Sequence, residues 1–105
     1  MAKIWRQGDV IIRPLIREIK EELKPKGDLV LAEGEVTGHA HRITQGKVEL
    51  QVNALLGLMI LRVLSDEAVL SHEEHADIIL LMGDYEIKQQ REYDWMTENL
   101  RRVAD

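Results

Sequence analysis

A chain of 105 residues has room for one modest core, and the absence of cysteine excludes disulfides, thiolate zinc sites and a cysteine nucleophile. Apolar residues at 45% place it among globular chains, while aromatics at only 4% and no Phe leave the core to Val, Ile and Leu. A formal charge of −5 counts against long nucleic acid as a partner, since such binding rests on Lys and Arg neutralising phosphates.

The start of the chain, Met1 to Gly8, lacks the apolar core of a signal peptide. The longest apolar run, Ala54 to Leu61, is far below a membrane span. A single soluble domain over residues 1–105 is expected, cytoplasmic and without a membrane partner.

Asp9 to Leu15 reads as a first strand, with Pro14 at its end or on an edge because it has no N–H for a ladder. Ile16 to Leu23 has roughly helical spacing and predicts either a short helix or an excursion between strands, stopped by Pro25-Lys-Gly27. Asp28 to Glu33 reads as a strand, Gly34 to Gly38 as a turn, and His39 to Thr44 as another strand. Gln45-Gly46 turns the chain into Lys47 to Val52, whose alternation marks a strand with one buried face.

Asn53 to Gly57 reads as a loop and Leu58 to Leu64 as a buried strand. Ser65-Asp-Glu67 reads as a turn, and Ala68 to Leu70 leads on into Ser71-His-Glu-Glu-His75. Asp77 to Met82 precedes a Gly83-Asp84 turn, and Tyr85 to Tyr93 is the longest strand candidate. Its odd positions begin apolar and end polar, as on a strand leaving a core at the lip of a pocket. The tail after Asp94, with Trp95, Leu100 and Val103, predicts a short strand or helix. Short strands with glycine turns between them predict a mainly β fold, a small antiparallel β-barrel or sandwich. A helix over Ala54 to Leu70 is the alternative, because short apolar runs are ambiguous.

All four histidines fall in two short motifs, His39-Ala-His41 and His72-Glu-Glu-His75. On a strand, residues i and i+2 share a face about 6.6 Å apart, so His39 and His41 can aim into one cavity. His72 and His75 align in a turn. Three imidazoles, or two with a carboxylate, suffice for a divalent metal (Zn, Fe, Mn or Ni) with a position left for water or substrate. His39, His41, His72 and His75 are therefore the candidate metal ligands.

Gly34-Glu-Val-Thr-Gly-His-Ala-His41 resembles the Gly-led His-x-His motif of cupins, which implies a small barrel with metal-binding histidines. No Glu follows His41 at that family's interval, and His-x-x-His precedes the glycine turn here, so the likeness covers about half the chain. Over nearly its whole length the chain is similar to small uncharacterised proteins of bacteria and their phages. The shared words are Gln7-Gly-Asp-Val10, the His39-Ala-His41 stretch, His72-Glu-Glu-His75, Gly83-Asp-Tyr85 and Gln90-Arg-Glu-Tyr93. That likeness implies no activity.

Three functions follow. In a metal-dependent hydrolase or other metal enzyme, His39 and His41 hold the ion with His72 or His75. Glu35, Glu73 or Glu74 moves the proton, and Arg91 and Tyr93 orient a small anionic molecule. In a metal-free phosphodiesterase acting on a nucleotide or RNA, histidines serve as acid and base, with Arg42, Lys88 or Arg91 facing the developing charge. In a non-catalytic binding or assembly protein, a homo-oligomer forms through strand edges or through Ala54 to Met59, a stretch more simply read as ordinary core.

Overall fold

The computed structural model describes residues 3–33 and 38–89. The described chain is built from β1 (Trp5–Gln7), β2 (Val10–Pro14), β3 (Lys24–Pro25), β4 (Val30–Glu33), β5 (Ala40–Gln45), β6 (Val48–Asn53), β7 (Leu58–His72) and β8 (His75–Gln89). All pair antiparallel in one sheet ordered β1-β2-β8-β7-β5-β4, with β6 on β7 and β3 on β6. The sheet curls into a half-barrel, within the expected mainly β class.

The two fifteen-residue strands β7 and β8 form the spine. The first half of β7 pairs with β6, its second half with β5, and the second half of β8 pairs with β2. One hairpin thus joins two smaller sheets, and a bend in the middle lets it do so. Val63 and Ala68 are both buried although an odd number of positions separates them, so β7 changes phase between them. β8 slips opposite it, where Leu81 and Met82 are both exposed and Gly83 takes φ 146°. The bend is held from the side: Ser65 Oγ accepts the Lys47 N–H at 2.9 Å and donates to Glu67 O at 2.7 Å.

Ser65-Asp-Glu67 is therefore part of a bulge, and Gly83-Asp84 are paired with Val63 and Arg62; both lie inside continuous strands and are not turns between separate ones. Ile16 to Leu23 is irregular, and no helix occurs among the described residues. It takes the strand-connecting excursion rather than the helix: Ile19 and Leu23 are only partly covered and Ile16 is 85% exposed, so no continuous apolar stripe is buried. Ala54 to Gly57 is the β6–β7 loop, where Leu55 and Leu56 are exposed, whereas Leu58 enters the core. That stretch is neither a helix nor wholly core. Residues 34–37, expected as part of a turn, and everything from Gln90 onward, including Arg91, Tyr93 and the tail, lie outside the described residues.

Ile12, Leu61, Leu70 and Leu80 are fully buried and centre a core that extends from Val10 to Ile87. Pro14 ends β2 beyond the reach of β1, whose first pair is Trp5 with Ile12, so its missing N–H leaves no gap. Behind the core, Arg13 makes a forked pair with one carboxylate oxygen of Glu86, at 3.0 and 2.8 Å.

Gly46 carries the chain from β5 to β6 directly over the bend. Its φ is +98°, and a Cβ there would lie 2.5 Å from Glu67 O and 2.7 Å from Ala68 Cα. Both neighbours are backbone and cannot swing away. Gly46→Ala is expected to destabilise the fold by more than the roughly 1 kcal/mol of an ordinary left-handed alanine. Urea denaturation reads it; an unchanged midpoint would contradict the close approach.

Candidate functional site

The strand registers bring the histidines together. Arg42 stands opposite Ser71 and Ile43 opposite Leu70, which puts His41 of β5 in line with His72 of β7. His72 in turn pairs with His75 of β8 across the two-residue Glu73-Glu74 loop. Directly opposed residues share a face, so three histidines form a row across three neighbouring strands. Their ring centroids lie 4.3 Å apart for His41–His72, 4.7 Å for His72–His75 and 6.0 Å for His41–His75. His39, just before β5, sets its ring edge-on to His72 at 5.8 Å. Exposure is graded: His75 is exposed, His39 and His72 are partly covered, and His41 is only 2% exposed.

A third segment, absent from the sequence-based site, closes over this row. The β1–β2 hairpin turns through Gly8-Asp9, with Gly8 at φ 59°, as a two-residue turn led by glycine requires. Buried Gln7 donates both amide hydrogens to backbone carbonyls, to Leu70 O at 3.1 Å and Ala76 O at 2.9 Å. Its Oε1 meets His41 Nδ1 at 2.9 Å. An amide oxygen only accepts, so the hydrogen in that bond is carried by His41. Neutral His41 is therefore the Nδ1–H tautomer, with a bare lone pair on Nε2.

That lone pair faces a carboxylate: His41 Nε2 is 3.5 Å from Asp9 Oδ1, while Asp9 Oδ2 accepts from Gln89 at 3.1 Å. Burial chiefly pushes the His41 pKa below 6.5; His72 and His75 push the same way and Asp9 opposes them. At Gly8, an added Cβ would come within 2.8 Å of His75 Nε2 and 3.3 Å of His41 Cε1. Glycine is what keeps the space between these two rings and the turn open.

The acidic loop is organised from within. His72 Nδ1 accepts the Glu74 N–H at 3.0 Å, so neutral His72 carries its hydrogen on Nε2. Glu73 Oε1 accepts the Ala40 N–H at 2.9 Å, a bond that holds its pKa below the usual value, helped by Arg42, whose Nη2 lies 3.7 Å from Oε2. Glu74 Oε1 approaches His39 Nδ1 to 3.3 Å, ion-pair range, yet off the angle of a hydrogen bond; that nitrogen is buried with no hydrogen-bond partner. Arg42 Nε is likewise buried and without a hydrogen-bond partner. One ligand atom each from His39, His72 and Glu73 lie within 4.8 Å of one another.

Of the expected site residues, the structure gathers His39, His41, His72, His75, Glu73 and Glu74 in one place. Lys88 stands apart, paired with Glu86 at 3.6 Å. Glu35, Arg91 and Tyr93 lie outside the described residues. Gln7, Gly8, Asp9 and Gln89 were missed; Asp9, expected at the start of the first strand, lies in the β1–β2 turn, and Gln7-Gly-Asp-Val10 stood in the sequence only as a stretch shared with similar proteins. A cavity of about 550 Å³ on the concave face, lined by Leu31, Leu58 and Ile87, shares Val10 and Gln89 with the wall behind Asp9; none of the four histidines lines it. The histidine cluster therefore sits beside this hollow rather than in it.

A family model described as a domain of unknown function, DUF8820, matches residues 6–90. The chain belongs to this uncharacterised family. The matched span takes in Gln7, Gly8, Asp9 and all four histidines, the whole of the site. No curated protein and no solved structure matches the chain.

The hydrogen-bond pattern sets an outcome for NMR of ¹⁵N-labelled imidazoles in EDTA at pH 7.5. His41 is expected as the Nδ1–H tautomer and His72 as Nε2–H, with His41 titrating below 6.5. The reverse tautomers would contradict the roles of Gln7 and of the Glu74 N–H. Because the folded value of His41 is the depressed one, its contribution to stability is present above pH 6.5 and is lost as pH falls through that value.

Proposed function

We propose that the histidine site is a divalent transition-metal centre that serves hydrolysis of a small anionic molecule. The observation carrying this reading is the convergence of His39, just before β5, with His72 and Glu73 at the β7–β8 turn, the buried Nδ1 of His39 lacking any hydrogen bond. Two imidazoles and a carboxylate are a donor set suited to Zn²⁺, Mn²⁺, Fe²⁺ or Ni²⁺, and they leave a position for water.

His72 is the ligand that must adjust. Its lone pair is taken by the Glu74 N–H, so binding through Nδ1 releases that hydrogen bond, a net loss of about 1 kcal/mol. Even micromolar affinity for a metal corresponds to about 8 kcal/mol, so the loss does not prevent binding.

A bound divalent ion would bring the pKa of its water toward neutrality. Glu74, exposed beside His39, is placed to take the proton. Arg42, with its unpaired Nε next to Glu73, supplies the positive charge for an anionic substrate at the rim. The metal-free acid–base alternative is less well supported. The ring nitrogen best prepared as a base, Nε2 of His41, is buried and faces Asp9, where a substrate hydroxyl has no access.

Elemental analysis of protein purified without a histidine tag tests the reading. Stoichiometric metal is expected, with loss of at least tenfold in affinity for His39→Ala and for Glu73→Gln. Absence of metal, with a melting temperature unmoved by Zn²⁺, Mn²⁺ or Ni²⁺, would overturn it.

A further inference from the structure

We infer that Arg42, Thr44 and Ser71 form a subsite for a phosphate group beside the metal centre, which makes the substrate a phosphorylated small molecule. Assigning that phosphate to a substrate rests on the metal-centre reading; the subsite itself is made of other side chains.

Strands β5 and β7 place the three together. Arg42 and Ser71 stand directly opposite each other in the ladder, so their side chains share a face. Thr44 follows Arg42 by two residues along β5 and projects to the same side. Thr44 Oγ1 and Ser71 Oγ meet at 2.8 Å, one hydroxyl donating to the other.

All three have donors left over. The hydroxyl pair holds two hydrogens and uses one between them, so one remains for a ligand. The Arg42 guanidinium makes no hydrogen bond among the described residues; Glu73 approaches it only at ion-pair distance, with Nη2 3.7 Å from Oε2. Its Nε is buried, yet the side chain as a whole is 43% exposed, which leaves Nη1 and Nη2 as the donors a ligand can reach.

This donor set selects among anions. The two terminal nitrogens of an arginine match two oxygens of one anion as a fork. A carboxylate is fully engaged by that fork and has no third oxygen for the hydroxyl pair on the neighbouring strand. A phosphate has one.

Glu73 joins the subsite to the metal centre. Its Oε2 faces Arg42, and the same carboxylate converges with His39 and His72. Ser71 is the residue before His72 in β7. A phosphate held by Arg42 therefore lies next to the ion that Glu73 would help to hold. That ion would also offset the Glu73 charge, which otherwise opposes an anion at Arg42.

Phenylphosphonate is the probe, because it presents the terminal oxygens of a phosphate ester and its P–C bond resists hydrolysis; benzoate is the carboxylate control. Each is titrated by calorimetry into untagged protein, with and without Zn²⁺, and far-UV circular dichroism checks the fold of each variant. Zinc-loaded protein is expected to bind phenylphosphonate more tightly than benzoate. Arg42→Gln is expected to weaken phosphonate binding by about tenfold, and the milder Ser71→Ala by about threefold. No phosphonate binding, equal affinity for benzoate, or binding unchanged by Ser71→Ala would overturn the subsite and leave the metal centre standing. Phosphonate binding that depends on both residues in a protein that takes up no zinc would uphold the subsite and overturn the metal centre.

Discussion

The site depends on one amide. Gln7 is 2% exposed, and all its hydrogen-bonding capacity toward the site is committed: two hydrogens to the backbones of β7 and β8, one oxygen to His41. Through it, the first hairpin of the chain is fastened to the last, across separations of 63 and 69 residues. That bridge adds to the β2–β8 ladder, which pairs Val10 with Gln89, in tying the β1–β2 turn to the strand ends that carry His72 and His75. The same amide decides which nitrogen of His41 is basic. A structural tie and a chemical setting are thus one interaction, and loss of either partner leaves buried polar groups unpaired at about 1–3 kcal/mol each.

The second constraint is the bend in the β7–β8 hairpin. A straight fifteen-residue pair would make a flat ribbon with one face for its whole length. The phase change between Val63 and Ala68, matched by the slip at Met82 and Gly83, turns the hairpin so that its far end folds over β5 while its near end stays with β6. That turn carries His72 and His75 to His41. Gly46 admits the bend because nothing but hydrogen projects from its Cα toward Ala68. The curvature that encloses the core and the convergence of the histidines therefore have the same origin.

Much of the β architecture is legible in the residues themselves. The alternation of Val48 to Val52, the Gln45-Gly46 and Ala54 to Gly57 connections and the identity of β4 and β5 all follow from local pattern. The phase breaks at Ser65 to Glu67 and at Gly83 are legible too, but as breaks only. A bulge and a turn interrupt alternation alike, and only pairing across the strand distinguishes them. The i, i+2 spacing of His39 and His41 and the tight His72–His75 loop suggest two pairs of rings; the structure instead sets His41, His72 and His75 in one row, with His39, just before β5, edge-on to His72. Gln7, Asp9 and Gln89 are not legible as site residues, because they reach it through closure of the half-barrel, which no local spacing encodes. Residues from Gln90 onward, where Arg91 and Tyr93 lie, are beyond the described structure.

The site thus grades from a buried, tautomer-locked imidazole at His41 to an exposed acidic loop at Glu73-Glu74, and the proposed metal centre takes its donors from the more open end of that gradient. Anomalous diffraction from crystals soaked in Mn²⁺ or Zn²⁺ tests this most directly. A peak is predicted among His39, His72 and Glu73, with the Glu73-Glu74 loop drawn inward. Peaks confined to surface carboxylates away from the histidines, or none at all, would contradict it.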